Sequence, residues 1–178
     1  MHAAVSSRAA ELREALITEH GAPASQAGWM VGFPADAIAA SIVALENFEF
    51  TETAGTAQVI HSPLGVAGLI TPWNSDAGFI CNKLATALAA GCTAVIKPSE
   101  LSAWQTRIVT EALHEAGLPA GVFNIVTGRG DVVGAEITRH PDIAKISFTG
   151  STAVGKQIVR HSAETLKRVT LELGGKSP

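Results

Sequence analysis

Residues suited to binding a phosphate group follow an apolar segment, Ile143–Phe148, at the point where the sequence changes from strand-like to helical spacing. Ser151 or Thr152 is suited to cap a helix, and Gly150 allows a ligand to approach the backbone closely. A strand that turns sharply into a helix directs free N–H groups and the positive helix end at one point. The segment therefore predicts a turn that binds a phosphate or pyrophosphate.

Two other interpretations of this turn are open. The residues 150–156 fit the first seven positions of the phosphate-loop pattern G-x-x-x-x-G-K-[ST], but Gln157 lacks the hydroxyl that would bind Mg²⁺. Such loops also usually follow the first strand of a domain, whereas this turn comes late in the chain. The remaining interpretation is a glycine-rich corner that binds no ligand.

The elements before this turn divide the chain near residue 64. The first 64 residues predict a helix over 1–20, a break over 21–28, an amphipathic helix from Pro34 with an apolar stripe, and a β-hairpin or arm over 49–64. The stripe consists of Ile38, Ile42, Leu45 and Phe48.

From Gly65 onward, five short apolar segments alternate with four helical ones. The strands are expected over 66–71, 93–98, 122–126, 143–148 and 166–173, and the helices over 76–90, 103–116, 131–139 and 151–164. This alternation predicts an α/β fold with an open, parallel, five-stranded sheet and flanking helices. We expect residues 1–64 to pack on a second unit formed by residues 65–178.

Polar residues follow every strand of the predicted sheet. In an open α/β sheet, ligands bind beyond the carboxyl ends of the strands. The polar segments at those ends are Thr71–Asn74, Lys97–Glu100, Thr127–Asp131, Thr149–Ser151 and Glu172–Lys176. The segment Gly128–Gly134 misses the dinucleotide pattern G-x-G-x-x-G by one position, so the usual fingerprint is absent.

The composition argues against several other functions. A net charge of -3 and 16% charged residues give no basic patch for nucleic acid or an acidic membrane. No apolar run approaches the ~18 residues of a membrane span, and no histidine or cysteine spacing predicts a metal site. Cys81 and Cys92 lie in apolar surroundings and are expected in the core. The cytoplasm is the expected location.

Four segments resemble the NAD(P)-dependent aldehyde dehydrogenases: Gly68–Asn74, Gly91–Glu100, Phe148–Gly155 and Leu171–Pro178. The resemblance covers about residues 63 to 178 and places the four motifs in the family's order. It implies a Rossmann-like domain that holds NAD without the G-x-G-x-x-G turn. It also implies an aldehyde substrate and a homo-oligomeric parent protein.

The resemblance also implies roles for individual residues. Asn74 would stabilise the developing oxyanion, although without the resemblance an Asx turn is the simpler interpretation. Glu172 would be the general base, with a pKa raised by partial burial beside its leucine neighbours. Lys97 and Glu100 would bind the adenosine ribose, which favours NAD over NADP, and Ser151 would contact the pyrophosphate. The full set of predicted cofactor-binding residues is Ile70, Thr71, Pro72, Trp73, Lys97, Ser99, Glu100, Gly130, Gly134, Phe148, Thr149, Gly150, Ser151, Val154, Leu173 and Gly174.

The family's nucleophilic cysteine has no counterpart in these residues, because neither Cys81 nor Cys92 stands at its position. We therefore expect the chain to be a fragment that binds NAD without turnover. The alternative from a different class is a non-catalytic nucleotide-binding or interaction module.

Overall fold

The computed structural model describes residues 1–176, so Ser177 and Pro178, the end of the fourth matching segment, lie outside the described residues. The described chain begins with four helices and a hairpin: α1 (His2–Ser7), α2 (Ala9–Thr18), α3 (Ala24–Met30), α4 (Phe33–Glu46), β1 (Thr51–Ala54) and β2 (Ala57–Ile60). The rest alternates strand and helix: β3 (Val66–Ile70), α5 (Asp76–Ala89), β4 (Thr93–Lys97), α6 (Ala103–Glu115), β5 (Phe123–Ile125), a π-helical turn (Gly130–Gly134), α7 (Ala135–Arg139), β6 (Ile143–Gly150), α8 (Thr152–Ala163) and β7 (Arg168–Leu173).

The main sheet has the strand order β5-β4-β3-β6-β7, and all neighbouring strands are parallel. The predicted α/β fold with an open, Rossmann-like, five-stranded parallel sheet is confirmed. The chain proceeds outward from β3 to β5 and then returns to β6 on the other side of β3. Ligands bind at such a reversal of strand order. The reversal places the loops after β3 and β6 side by side.

Helices cover both faces of this sheet. Alternating strand residues such as Leu69 and Ile96 pack into the larger core cluster, to which α5, α6 and the N-terminal helices contribute. On the other face, Ile70 packs with Ile137 of α7 and Ile158 of α8. The N-terminal helices thus share a core with the sheet, and the division at residue 64 stays a prediction.

The predicted single helix over 1–20 is wrong in detail. The helix is interrupted at Arg8, whose φ of -94° and ψ of 10° are not helical. A further helix, α3, forms where a break was predicted. Its residues Ala27 and Met30 are buried against Leu16 and Ala22 of the preceding segment. This tertiary packing outweighs the low helix propensity of Gly28.

The predicted apolar stripe of α4 is only partly buried. Ile38 is 3% exposed, whereas Ile42, Leu45 and Phe48 are 44–49% exposed, and Phe48 lies beyond the end of the helix. The buried face consists of Ile38 from the predicted stripe together with Pro34 and Ala37. The reason is close packing on α5, where the Phe33 ring lies against Gly78 and leaves no room for a side chain.

The expectation that no segment reaches membrane length does not hold for α3 and α4. Together they give a helical stretch of 23 residues, Ala24–Glu46, which contains an 18-residue window with a mean hydropathy of 1.5. By length and composition alone this stretch could cross a membrane, a test that core helices of water-soluble proteins pass as well.

Three smaller elements complete the comparison with the sequence. The predicted hairpin is confirmed as the antiparallel pair of β1 and β2, whose residues are all exposed. The last strand begins at Arg168 rather than Leu166, because Leu166 adopts a φ of 53° and is 88% exposed. The predicted helix over 131–139 begins as a π-helical turn, with the N–H groups of Val132 and Val133 both donating to the Arg129 carbonyl.

Candidate functional site

The loops at the carboxyl ends of the parallel strands open onto one cavity of about 1470 Å³. All the residues predicted to bind the cofactor or to act in catalysis line this cavity. They are Ile70, Thr71, Pro72, Trp73, Asn74, Lys97, Ser99, Glu100, Gly130, Gly134, Phe148, Thr149, Gly150, Ser151, Val154, Glu172, Leu173 and Gly174. The structure thus brings them to a common rim, while their individual roles stay predictions.

Hydrogen bonds of Thr71 anchor the loop that carries Asn74. The Thr71 backbone N–H donates to the Lys97 carbonyl at 3.2 Å, and the Thr71 hydroxyl donates to the Asp76 carboxylate. Asp76 is fully buried, and burial raises its pKa although hydrogen bonds from threonine hydroxyls act in the opposite direction. The Asn74 side chain makes no hydrogen bond to another described residue, so the Asx turn is not formed. Asn74 is exposed and lines the cavity.

Lys97 and Glu100 form a fixed pair at the end of β4. The buried Lys97 Nζ donates to Glu100 Oε2 at 2.7 Å, and the Gly130 N–H donates to Glu100 Oε1 at 2.9 Å. Partial burial tends to raise the pKa of Glu100, but these hydrogen bonds and the lysine charge outweigh it and leave the pKa below its usual value. Glu100 is therefore held as a carboxylate at the cavity wall.

The turn between β6 and α8 consists of one residue, Ser151. Its hydroxyl accepts a hydrogen bond from the Val154 N–H at 3.3 Å, which confirms the predicted N-cap. A side chain at Gly150 would meet the Phe148 ring at 2.5 Å. The Thr149 hydroxyl is buried without a partner in residues 1–176, as expected of a group that a ligand would satisfy.

The predicted partial burial of Glu172 is wrong, since its side chain is exposed. In the described chain β7 is an edge strand of the sheet and has a neighbouring strand on one side only. Lys83 carries a charge that interacts with Glu172, and its Nζ donates to the Ser147 hydroxyl at 3.0 Å. Burial lowers the pKa of Lys83 to about 8, although the Glu172 charge acts in the opposite direction.

Sequence reasoning missed the helical wall of the cavity. The additional lining residues are Phe79, Asn82, Asp131, Ala135, Thr138, Arg139, Gln157, Ile158, Arg160 and His161. Most lie on α7 and α8, and the helical spacing of Val154, Gln157, Ile158 and His161 is the signal that could have identified them. His161 is fixed by Thr138 Oγ1 at 2.9 Å and by Arg139 Nη2 at 2.8 Å.

Neither cysteine belongs to the cavity. Cys81 and Cys92 are buried free thiols, as predicted, and burial raises the pKa of Cys81 to about 12. A nucleophile needs the thiolate form, so Cys81 is unsuited to the role. Within residues 1–176, no group of three histidine, cysteine or acidic side chains could hold a metal ion.

The sequence model of the Aldehyde dehydrogenase family matches residues 1–178. This chain belongs to that family. Other relatives that the chain matches are named as aldehyde dehydrogenases. The resemblance stated from the four sequence motifs is thereby confirmed.

Individual relatives agree with this assignment. The 3-succinoylsemialdehyde-pyridine dehydrogenase of a Pseudomonas species is 45% identical over 98% of the chain. Aldehyde dehydrogenase C of Pseudomonas syringae, solved as a variant with NAD⁺ and octanal, superposes with a TM-score of 0.96 at 43% identity over 99% of the chain. An NADP-dependent enzyme of E. coli superposes over 99% of the chain with a TM-score of 0.87 at 36% identity. The chain spans 37–39% of the length of these three proteins.

Proposed function

We propose that this chain supplies the NAD site, an oxyanion-stabilising amide and a general base to an enzyme that oxidises an aldehyde to a carboxylic acid. The observation that carries the proposal is the single cavity lined by Asn74, Lys97, Glu100, Ser151 and Glu172. These residues come from the carboxyl ends of four different strands, so cofactor binding and catalysis would share one location.

Three contacts of the chain would hold the cofactor. The amino end of α8 and Ser151 suit the pyrophosphate, because free N–H groups and the helix dipole converge there. The fixed Lys97–Glu100 pair suits the adenosine ribose hydroxyls. Bound NAD would accept the hydride that leaves the substrate carbon.

Two side chains of the chain would act on the substrate. As the carbonyl carbon is attacked by a cysteine thiolate from outside these 178 residues, the Asn74 amide donates a hydrogen bond to the carbonyl oxygen and stabilises its developing charge. Loss of the hydride from this adduct would leave a thioester. Glu172 then accepts a proton from the water that attacks the thioester, which releases the carboxylic acid and the thiol.

The same contacts favour NAD over NADP. Both Glu100 oxygens have fixed donors, so the carboxylate stays at the cavity wall, where it accepts a hydrogen bond from a ribose 2′-hydroxyl and repels a 2′-phosphate. Membership of the family does not decide between NAD and NADP, since one structural neighbour was solved with NAD⁺ and another is described as NADP-dependent.

A second candidate function is a non-catalytic nucleotide-binding or interaction module. The phosphate-loop version of it is disfavoured because α8 begins at Thr152, so Gly155 and Lys156 lie inside the helix and form no open loop around a phosphate. A purely binding role is supported by the position of the two cysteines, because neither thiol lines the cavity.

Isothermal titration of the chain with NAD and with ATP–Mg²⁺ tests the proposal. We expect NAD to bind and ATP–Mg²⁺ to bind more weakly, and selective ATP binding would overturn the assignment. Lys97→Ala with Glu100→Ala should weaken NAD binding by about tenfold or more, since each charged hydrogen bond is worth about 1.5–3 kcal/mol. The matched control removes a surface pair on α6, Arg107→Ala with Glu111→Ala, and circular dichroism verifies the fold of both variants. Equal NAD affinity in the two variants would favour the interaction module.

The proposal extends to location and assembly. Both cysteines are free thiols, as expected of a protein in the reducing cytoplasm. A homo-oligomeric parent protein fits the apolar surface that α4 leaves exposed.

A further inference from the structure

A second ion pair stands beside Glu100 on the loop after β5. Arg129 donates two hydrogen bonds to Asp131, from Nε to Oδ1 at 2.9 Å and from Nη2 to Oδ2 at 2.7 Å. The residue between them, Gly130, donates its N–H to Glu100. The pair is thus attached to the same backbone segment that fixes the ribose-side carboxylate.

The two partners face different surroundings. Asp131 lines the cavity together with Glu100 and Gly130, whereas Arg129 is not among the lining residues and is 77% exposed at its side chain. Asp131 therefore holds the guanidinium group on the outer side of the loop. Asp131 occupies the Nε–Nη2 edge of the guanidinium group, so this edge is closed to another anion.

The charges of this wall favour an uncharged ribose edge. In the wall formed by the β4 and β5 loops, Lys97 is matched by Glu100 and Arg129 by Asp131. A 2′-phosphate placed here would meet two carboxylates, and no cation of this wall would be free of a carboxylate partner. The planar guanidinium group of an arginine is well suited to bind phosphate once the arginine has lost its carboxylate partner.

We infer that Asp131 is a second specificity-determining residue for the cofactor, which repels a 2′-phosphate directly and also withholds Arg129 from it. This inference rests on the proposed NAD site and goes beyond Glu100. Because the Arg129–Asp131 pair is exposed, its loss should change relative affinities only about threefold to fivefold at low salt. The effect should shrink as ionic strength rises.

The test measures the ratio of NADP to NAD affinity by isothermal titration of the whole chain at low salt. We expect Asp131→Asn to raise this ratio about threefold to fivefold. Adding Arg129→Met to that variant should lower the ratio again, but not to the value of the unsubstituted chain, because the direct repulsion by Asp131 stays removed. Glu111→Gln removes one carboxylate from the exposed Arg107 pair on α6 and is the control for the change in net charge.

The outcomes separate this inference from the proposed function. If NAD fails to bind the unsubstituted chain, the proposed function itself fails. If NAD binds but Asp131→Asn leaves the ratio unchanged, or adding Arg129→Met does not lower the raised ratio, the inference is overturned and the NAD site stands. Should NADP binding be too weak to measure, the same series in a Glu100→Gln background supplies the ratios.

Discussion

At the scale of single residues, the buried carboxyl group of Asp76 supports the loop that carries Asn74. Its Oδ1 accepts from the Thr71 hydroxyl, and its Oδ2 lies 2.8 Å from Thr106 Oγ1. The Thr106 hydroxyl has one hydrogen and also lies 2.8 Å from the Ser102 carbonyl. A protonated Asp76 would donate to Thr106 and leave that hydrogen for Ser102, and a side-chain amide would do the same.

We therefore predict that Asp76→Asn makes the fold less sensitive to pH. Burial raises the pKa of Asp76 above its ordinary value of 3.8, so its favourable contribution to the free energy of unfolding is present below that pH. The contribution is lost as the pH rises through the raised pKa. Urea unfolding should show the stability of the variant increasing relative to the unsubstituted chain between about pH 4 and pH 7.

The control for this prediction is Glu14→Gln, which removes an exposed carboxylate on α2. A relative stability of Asp76→Asn that stays constant or falls over this pH range would contradict the proposed role of burial.

At the scale of elements, close contact between α4 and α5 determines which face of α4 is buried. A Cβ at Gly78 would lie 2.1 Å from Phe33 Cδ1 and 2.7 Å from Phe33 Cε1. The Phe33 ring is also held edge-to-face by Phe79, with 5.7 Å between the ring centroids. The two helices therefore meet through a glycine and an aromatic ring, and of the predicted apolar stripe of α4 only Ile38 is buried.

We predict that Gly78→Ala lowers the free energy of unfolding by about 1–3 kcal/mol, because the Phe33 ring must move. Gly28→Ala on α3 is the matched substitution, since nothing lies within 4 Å of its Cβ position. It should raise the free energy by about 0.4–1 kcal/mol through the loss of backbone freedom in the unfolded chain. Denaturant unfolding of both variants checks the pair, and equal effects would show that the close contact is absent.

At the scale of the whole molecule, a group of exposed apolar residues lies near the junction of α4 and the hairpin. Ile42, Leu45 and Phe48 are 44–49% exposed, and Ile60 of β2 is 66% exposed. Between α4, the hairpin and the end of α5 lies a cavity of about 300 Å³ lined by residues that include Phe48 and Phe50. An exposed apolar surface of this kind promotes association.

We accordingly expect the 178-residue chain to form oligomers in solution. Light scattering after size-exclusion chromatography measures the mass. Leu45→Lys should shift the population toward monomer, because a charge resists burial between apolar surfaces. Leu101→Lys adds the same charge to a leucine that is 67% exposed in the loop before α6, and it should leave the mass unchanged. A monodisperse monomer for the unsubstituted chain would refute the expectation.

Local sequence patterns were sufficient for the sheet and for the edge at which the candidate site lies. The alternation of short apolar segments with helical spacing predicted the five parallel strands, and Ser151 was recognisable as an N-cap from its position after β6. Period and capping depend on residues close together in the chain, so they can be recognised without knowledge of the fold.

Only the tertiary structure decided the features that depend on contacts between distant residues. The exposure of Glu172, the helix over Ala24–Met30 and the buried face of α4 follow from what each element packs against. The hydrogen bond from the Gly130 N–H to Glu100 joins residues that are 30 positions apart, and the pairing of β4 with β5 brings them together. No local pattern encodes these contacts, because packing and strand order bring the partners together only in the folded chain.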